Sequence, residues 1–310
     1  MNTNSGQQIW QYTAGGQISG TPAVFKGVVY ATSQDFNVYA LNAGTGALLW
    51  KYTTGNFVVS PPVVANGTVY VGSDDNNVYA LNASTGALLW KYATGSVIQF
   101  TPAVFNGIVY VPSADGSVYA LNATTGSLMW KYLTTAGNNL STPSLANGVV
   151  YIASADNNLY ALNATSGTLL WKFNLGAPAD GCNAAVANGV VYLGSGDDFT
   201  FYAIDANNGT LRWKFPIPAP VYAASAVANG VVYFGGGDQK FYALDAADGK
   251  LLWDYPTNLY LPSGIVANGE VFLAADQLYV FQIPNLNGPH AGLARLNLRT
   301  LIPDFGLQPQ

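Results

Sequence analysis

Thr101-Pro-Ala-Val-Phe-Asn-Gly-Ile-Val-Tyr-Val111, then Ser117-Val-Tyr-Ala-Leu-Asn-Ala-Thr-Thr-Gly126 and Ser127-Leu-Met-Trp-Lys-Tyr132, is the stretch whose reading decides the fold. Its apolar runs are short, rich in β-branched and aromatic residues, and broken by turn residues, which is the pattern of strands and not of helices. Asn106-Gly107 lies between two such runs, and an Asn-Gly pair is a strong hairpin signal because both residues accept positive φ. Gly126 ends a second turn before the Trp130 run. The unit therefore reads as four strands, A to D, from the Pro-Ala-Val run to the Trp run.

The unit recurs along the chain. Trp10, Trp50, Trp90, Trp130, Trp171, Trp213 and Trp253 stand 40, 40, 40, 41, 42 and 40 residues apart. Asn66-Gly67, Asn147-Gly148, Asn188-Gly189, Asn229-Gly230 and Asn268-Gly269 repeat the first turn, and Gly46, Gly86, Gly167, Gly209 and Gly249 repeat the second. Four antiparallel strands per 40 residues, copied in series, specify an all-β fold, a β-propeller with one blade per repeat. Seven tryptophans give seven blades. Each ring can bury about 150–250 Å², and at about 25 cal/mol per Å² that is about 4–6 kcal/mol at most.

The last repeat runs through Ser263-Gly-Ile-Val266, Glu270-Val-Phe-Leu-Ala274 and Leu278-Tyr-Val-Phe-Gln-Ile283 but lacks a Trp strand, while the N-terminus holds an unpaired one, Gln8-Ile-Trp-Gln-Tyr12. The expectation is that Gln8–Tyr12 completes the seventh blade and removes two open edges. One domain, residues 1–285, would result, with residues 286–310 as a tail that links to a further domain or docks on the propeller.

Composition narrows the setting. The charged fraction is 9% and 11 basic residues face 16 acidic ones, a net charge of −5, which argues against nucleic acid, where Lys and Arg must cluster. No apolar run is long enough to span a bilayer. The start, Met1-Asn-Thr-Asn-Ser-Gly6, has neither a basic region nor an apolar core, so no signal peptide is expected within this sequence. An extracytoplasmic setting, periplasmic or secreted, in a bacterium is the expectation. Cys182 is the only cysteine, which excludes an internal disulfide and a cysteine-based zinc site.

Two segments carry a family resemblance: Tyr79-Ala-Leu-Asn-Ala-Ser-Thr-Gly-Ala-Leu-Leu-Trp-Lys-Tyr92 and Tyr242-Ala-Leu-Asp-Ala-Ala-Asp-Gly-Lys-Leu-Leu-Trp-Asp-Tyr255. They resemble the tryptophan-docking repeat of the pyrroloquinoline quinone-like β-propellers, over roughly residues 8 to 283. The resemblance implies that this motif packs blade on blade. It spans quinoprotein alcohol dehydrogenases, non-catalytic outer-membrane assembly lipoproteins and sensor domains of kinases, so it does not choose a function. Quinoproteins of this kind carry eight blades, a calcium ion, a catalytic Asp, an Arg near the quinone and often two adjacent cysteines. This chain has seven repeats, no Cys-Cys pair and a single Glu, Glu270, beside an A–B turn. Neither pyrroloquinoline quinone nor calcium is expected.

Comparison among the repeats locates the candidate site. The A–B and C–D turns hardly vary, whereas the D-to-A connections do, and in a propeller these converge on the channel mouth. There lie Gln17, Phe57, Gln99, Phe100, Asn139, Asp180, Cys182, Asn183, Tyr222 and Tyr260, on loops held by a rigid scaffold. Aromatic rings among amides suit a small molecule, a sugar or a peptide of a protein partner. The expectation is a non-catalytic binding or assembly module. The alternative is an enzyme at the mouth, quinoprotein-like or other, in which Asp180, Cys182 and Tyr222 supply acid–base or nucleophilic groups. An Asp recurs in every B–C turn, at 35, 75, 115, 156, 197 or 198, 238 and 276. The ordinary role of such an Asp is to bond its own turn, and only Asp74-Asp75 with Asn76-Asn77, and Asp197-Asp198, approach a calcium loop.

Overall fold

The computed structural model describes residues 8–134, 140–179, 181–221, 225–259, 263–267, 270–274 and 278–282. The described residues form strands joined by tight turns, and contain no helix. The first repeat shows the plan: β1 (Ala23–Phe25), β2 (Val28–Thr32), β3 (Asn37–Asn42) and β4 (Leu48–Thr53) make one antiparallel sheet in sequence order, the A to D strands expected. The same four-stranded sheet recurs five times, with outermost D strands Leu88–Ala93, Leu128–Leu133, Leu169–Asn174, Leu211–Pro216 and Leu251–Pro256. A three-stranded sheet follows, Ser263–Ala267, Glu270–Ala274 and Leu278–Gln282.

The chain divides into two compact units, Met1–Gly181 and Cys182–Gln310. The first holds four four-stranded sheets and the second two, plus the three-stranded one. Within each unit the short A strands of successive repeats are neighbours.

The turn chemistry follows the sequence. Lys26, Asn66, Asn106, Asn147, Asn188 and Asn229 all have φ between 47° and 50°, each before a glycine in the same region, so the A–B hairpins are the double positive-φ turns that Asn-Gly favours. In strand D the burial alternates: Leu48 and Leu49 are exposed, Trp50 is buried, Lys51 is exposed and Tyr52 half-buried. An outer edge carrying Lys discourages pairing with another chain.

Within each unit the Trp leaves its own sheet and docks on the next repeat in four junctions of complete sheets. Trp50 Nε1 donates to Ala83 O at 2.9 Å, Trp90 to Ala123 O at 3.0 Å, Trp130 to Ala164 O at 3.0 Å, and Trp213 to Ala246 O at 3.0 Å. The strand B tyrosine of the same repeat shares that acceptor, as Tyr30 does on Ala83 O at 3.1 Å and Tyr110 on Ala164 O at 3.1 Å. The ring rests on the C–D glycine. A Cβ on Gly126 would stand 2.7 Å from Trp90 Cδ2, and one on Gly86 2.7 Å from Trp50 Cδ2. Both glycines also have φ of 72°, so two separate constraints demand Gly there.

Gln8–Tyr12, expected as a strand, has no strand pairing among the described residues. Its segment is held by a side chain instead: Trp10 Nε1 donates to Ala43 O at 2.8 Å and the ring lies over Gly46. The tail, residues 286–310, lies outside the described residues.

Gly126→Ala and Gly107→Ala separate the two demands. Both have positive φ, but nothing lies within 4 Å of a Cβ on Gly107. In denaturant titrations Gly107→Ala should cost about 1–2 kcal/mol, the left-handed strain alone. Gly126→Ala should cost about 2 kcal/mol more, approaching the loss of about 3–5 kcal/mol expected of Trp90→Ala. Equal costs at the two glycines would refute the docking account.

Candidate functional site

The B–C turns stand at the same end of each sheet as the D-to-A connections, because the strands alternate in direction. The turn aspartates do more than close their turns. Asp75 N–H donates to Ser73 Oγ at 3.3 Å, and Asp75 Oδ1 accepts Asn77 N–H at 3.0 Å. Its Oδ2 accepts Tyr79 Oη–H at 2.5 Å and Gly55 N–H, from the incoming D-to-A connection, at 2.8 Å. Asp35 repeats this with Asn37, Tyr39 and Gly15. Asp115 bonds Ser117 and Tyr119 and also meets Lys131 Nζ at 3.3 Å, while Gly95 N–H goes to Tyr119 Oη.

Asp156 with Tyr160, Asp198 with Tyr202 and Asp238 with Tyr242 continue the pattern. Of the pair Asp197 and Asp198, the structure assigns the turn role to Asp198; Asp276 lies outside the described residues. The sequence signal was an Asp followed four residues later by Tyr, in six repeats.

That tyrosine also receives the preceding repeat. Tyr12 lies 5.5 Å from Tyr39, Tyr52 5.7 Å from Tyr79, Tyr92 5.9 Å from Tyr119 and Phe215 6.0 Å from Tyr242, ring centre to ring centre. The titration behaviour fits. Burial alone would raise the Asp35, Asp75 and Asp115 carboxyls, but the tyrosine and the turn's own hydrogen bonds hold them below the ordinary carboxylate value. Burial and the facing carboxylate push Tyr39 up to about 12 and raise Tyr79, Tyr202 and Tyr242. Asp35, Asp75 and Asp115 thus spend their oxygens on the turn, its tyrosine and its neighbours, whereas Asp238 Oδ1 is buried without a hydrogen bond. Among the described residues no group of three or more His, Cys, Asp or Glu side chains comes together.

The expected mouth residues fare differently. Phe57 is 43% exposed, while the neighbouring Val58 is fully buried and its N–H donates to Ser33 O at 3.2 Å. Gln99 is exposed beside the buried Ile98. Phe100 is half-buried and its carbonyl accepts Ser60 Oγ–H at 3.0 Å, tying two connections together. Gln17 is exposed, with its carbonyl bonded to Gln34 N–H at 2.9 Å. In the second unit Cys182 is buried and its Sγ–H points to Val221 O at 3.4 Å, and Asn183 is half-buried. Asn139, Asp180, Tyr222 and Tyr260 lie outside the described residues.

Phe57 and Gln99 meet at Asp74, a residue whose sequence context suggests only a calcium-like loop. Asp74 N–H donates to Phe57 O at 2.9 Å, and Asp74 Oδ2 accepts Gln99 Nε2–H at 3.4 Å. Its Oδ1 is buried without a hydrogen bond. Burial raises the Asp74 carboxyl, the long Gln99 bond offsets this only partly, and the Asp75 charge adds to it. Adjacent aspartates are thus shifted in opposite directions by their partners.

Such sheets, stacked by tryptophans with variable connections at one end, define a β-propeller of the pyrroloquinoline quinone-like class. The chain belongs to the family described as outer membrane protein assembly factor BamB, whose model matches residues 1–101, 95–180 and 155–288. No curated protein matches it. Among solved structures, BamB from Moraxella catarrhalis is 18% identical, with a TM-score of 0.72 over 86% of this chain and 84% of that one. The computationally designed Ika8 protein is 19% identical, TM-score 0.74, over 86% and 83%. The quinohemoprotein alcohol dehydrogenase ADHIIG from Pseudomonas putida HK5 is 16% identical, TM-score 0.68, over 84% and 62%. An assembly factor, a designed protein and a dehydrogenase share this fold, so the fold by itself selects no function.

The opposite shifts at Asp74 and Asp75 give a pH test. A lowered native pKa means that the Asp75 charge stabilises the fold above the unfolded value near 3.8, and that this is lost as pH falls through the lower native value. Asp75→Asn should therefore lower the melting temperature at pH 7, with the gap from the parent closing below about pH 4. The raised Asp74 works against the fold when ionised. Asp74→Asn should melt at or above the parent temperature at pH 7. Thermal melts from pH 3 to 7 check both, and equal destabilisation by the two variants would contradict the assignment.

Proposed function

We propose that this chain is a non-catalytic binding or assembly module of a bacterial extracytoplasmic compartment, recognising a partner at the mouth end of its sheets. The observation that carries this reading is the family match to an outer membrane protein assembly factor across nearly the whole described chain. A protein partner is the first expectation, with a small molecule or sugar as the other ligand classes the exposed aromatic and amide residues would suit. No helix among the described residues is long and apolar enough to cross a membrane. In this reading the repeats number seven and Gln8–Tyr12 belongs to the last blade.

The quinoprotein alternative needs side chains that balance an anionic quinone and a divalent cation. The repeated turn carboxylates spend their oxygens on tyrosines and backbone amides, and the D-to-A connections carry no Lys or Arg. That donor set does not fit the cofactor, and no step is assigned to it. Cofactor-free binding is the reading we adopt.

A photo-crosslinking amino acid placed at Phe57 or Gln17, compared with one at Lys26 in the A–B turn, tests the reading in cells. A discrete adduct from the first two and none from Lys26 is expected. Adducts from Lys26 alone, or from none of the three, would count against mouth-end recognition. In vitro, pyrroloquinoline quinone with calcium should neither raise the melting temperature nor support dye reduction with alcohols. Quinone-dependent reduction that disappears in Asp180→Asn would establish the dehydrogenase alternative.

A further inference from the structure

The repeats supply their own standard for what each turn position needs, and the junction of the first and second repeats departs from it at three touching positions. The residue directly after the turn aspartate, where φ is positive, is Asn76, Gly116, Asn157 or Gln239 in four repeats, but Phe36 at φ 71° here and Phe199 in one other. A phenylalanine in the left-handed region is strained, and this ring is 38% exposed, so burial does not offset that strain. The connection residue whose carbonyl receives the next turn is Gln17, Val97 or Pro220 elsewhere and Phe57 here. The residue donating that bond is Gln34, Ala114 or Gly237 elsewhere and Asp74 here.

These three departures form one patch. The Phe36 and Phe57 rings lie 5.3 Å apart at 56°, both open to solvent. Asp74 is bonded to the Phe57 backbone, and Asn56 Nδ2 reaches Asp74 O at 3.4 Å. The carboxylate is half-buried, with one oxygen bonded to nothing and the other held by a single long bond from an exposed Gln99. None of the three residues is what the fold requires, since sister repeats fold with Asn, Gly, Val, Gln or Ala in their places. Phe199 repeats the turn aromatic in the second unit, but has no ring contact among the described residues.

We propose that this patch seats an arginine side chain of the partner protein, its guanidinium stacked on the Phe36–Phe57 pair and hydrogen-bonded to Asp74 Oδ2. A planar cation is the group that both halves of the patch attract: aromatic faces draw it by their quadrupole, and an under-bonded carboxylate draws it by charge. The surroundings favour it, because the B–C turns and D-to-A connections of repeats 1 to 3 contain no Lys or Arg to compete, and the chain carries a net charge of −5. Gln99, on the surface, is free to swing aside as the guanidinium takes its place. The inference rests on the binding-module reading and names the chemistry recognised there.

Titration of the isotope-labelled protein with N-acetyl-arginine amide, read by backbone amide shifts, tests it. N-acetyl-citrulline amide serves as the uncharged control of matching shape, and methyl glucoside as the sugar probe. Arginine should shift the amides of Phe36, Phe57, Asp74 and Gln99 and bind about tenfold more tightly than citrulline. Phe57→Ala and Asp74→Asn should each remove most of that preference, and a melt of Asp74→Asn at or above the parent temperature, measured alongside, separates loss of binding from loss of fold. Arginine and citrulline binding alike, or a preference that survives Asp74→Asn, would overturn the inference. Binding of methyl glucoside at these amides without arginine binding would also overturn it, while leaving a mouth-end binding module intact. If the crosslinks from Phe57 and Gln17 also fail, the module reading falls with it.

Discussion

The stacking of repeats within each unit depends on one contact: an indole lying flat on a glycine of the next repeat and donating to an alanine carbonyl in the same turn. The glycine has to be glycine twice over, for positive φ and for the 2.7 Å approach that a Cβ would make to the ring. Once the indole is seated, the strand B tyrosine reaches the same carbonyl, and buried alanines such as Ala40, Ala80 and Ala120 sit opposite Trp50, Trp90 and Trp130 in the sheet register. The sheets are thereby stacked by side chains, and among the described residues strand-to-strand ladders run within each repeat.

A second tie runs along the other end of each sheet. The strand D aromatic packs on the strand C tyrosine of the following repeat, that tyrosine donates to its turn aspartate, and the aspartate accepts an amide of the incoming connection. With both ends fixed, the D-to-A connections are anchored at alternate residues, Val58 and Ile98 inward, Phe57 and Gln99 outward. The outward residues are then free to vary without cost to the stack. This physical division of labour is what lets one architecture serve an assembly factor, a dehydrogenase and a designed protein.

The fold was legible because its determinants are local and repeated. Asn-Gly hairpins, the C–D glycine and the tryptophan spacing each state their geometry in the residues themselves. The anchor of the N-terminal segment is less legible, because a short segment's partner is set by tertiary packing; the structure holds Trp10 on Ala43 and Gly46. The site was half legible. Variation among repeats pointed to Phe57 and Gln99, but Asp74 and Phe36 join them only through a backbone bond and a ring contact between turns far apart in sequence. Likewise an Asp in a turn says that the turn is closed, and only its spacing to the following Tyr hints that it also binds a neighbour.

The most direct test of the docking account is a double-mutant cycle on Trp90 and Gly126. If the glycine exists to receive the ring, Gly126→Ala in a Trp90→Ala background should cost only the backbone strain of about 1–2 kcal/mol, less than it costs in the parent. Strictly additive losses in denaturant titrations would mean that the two residues do not act through one another, and would contradict the account.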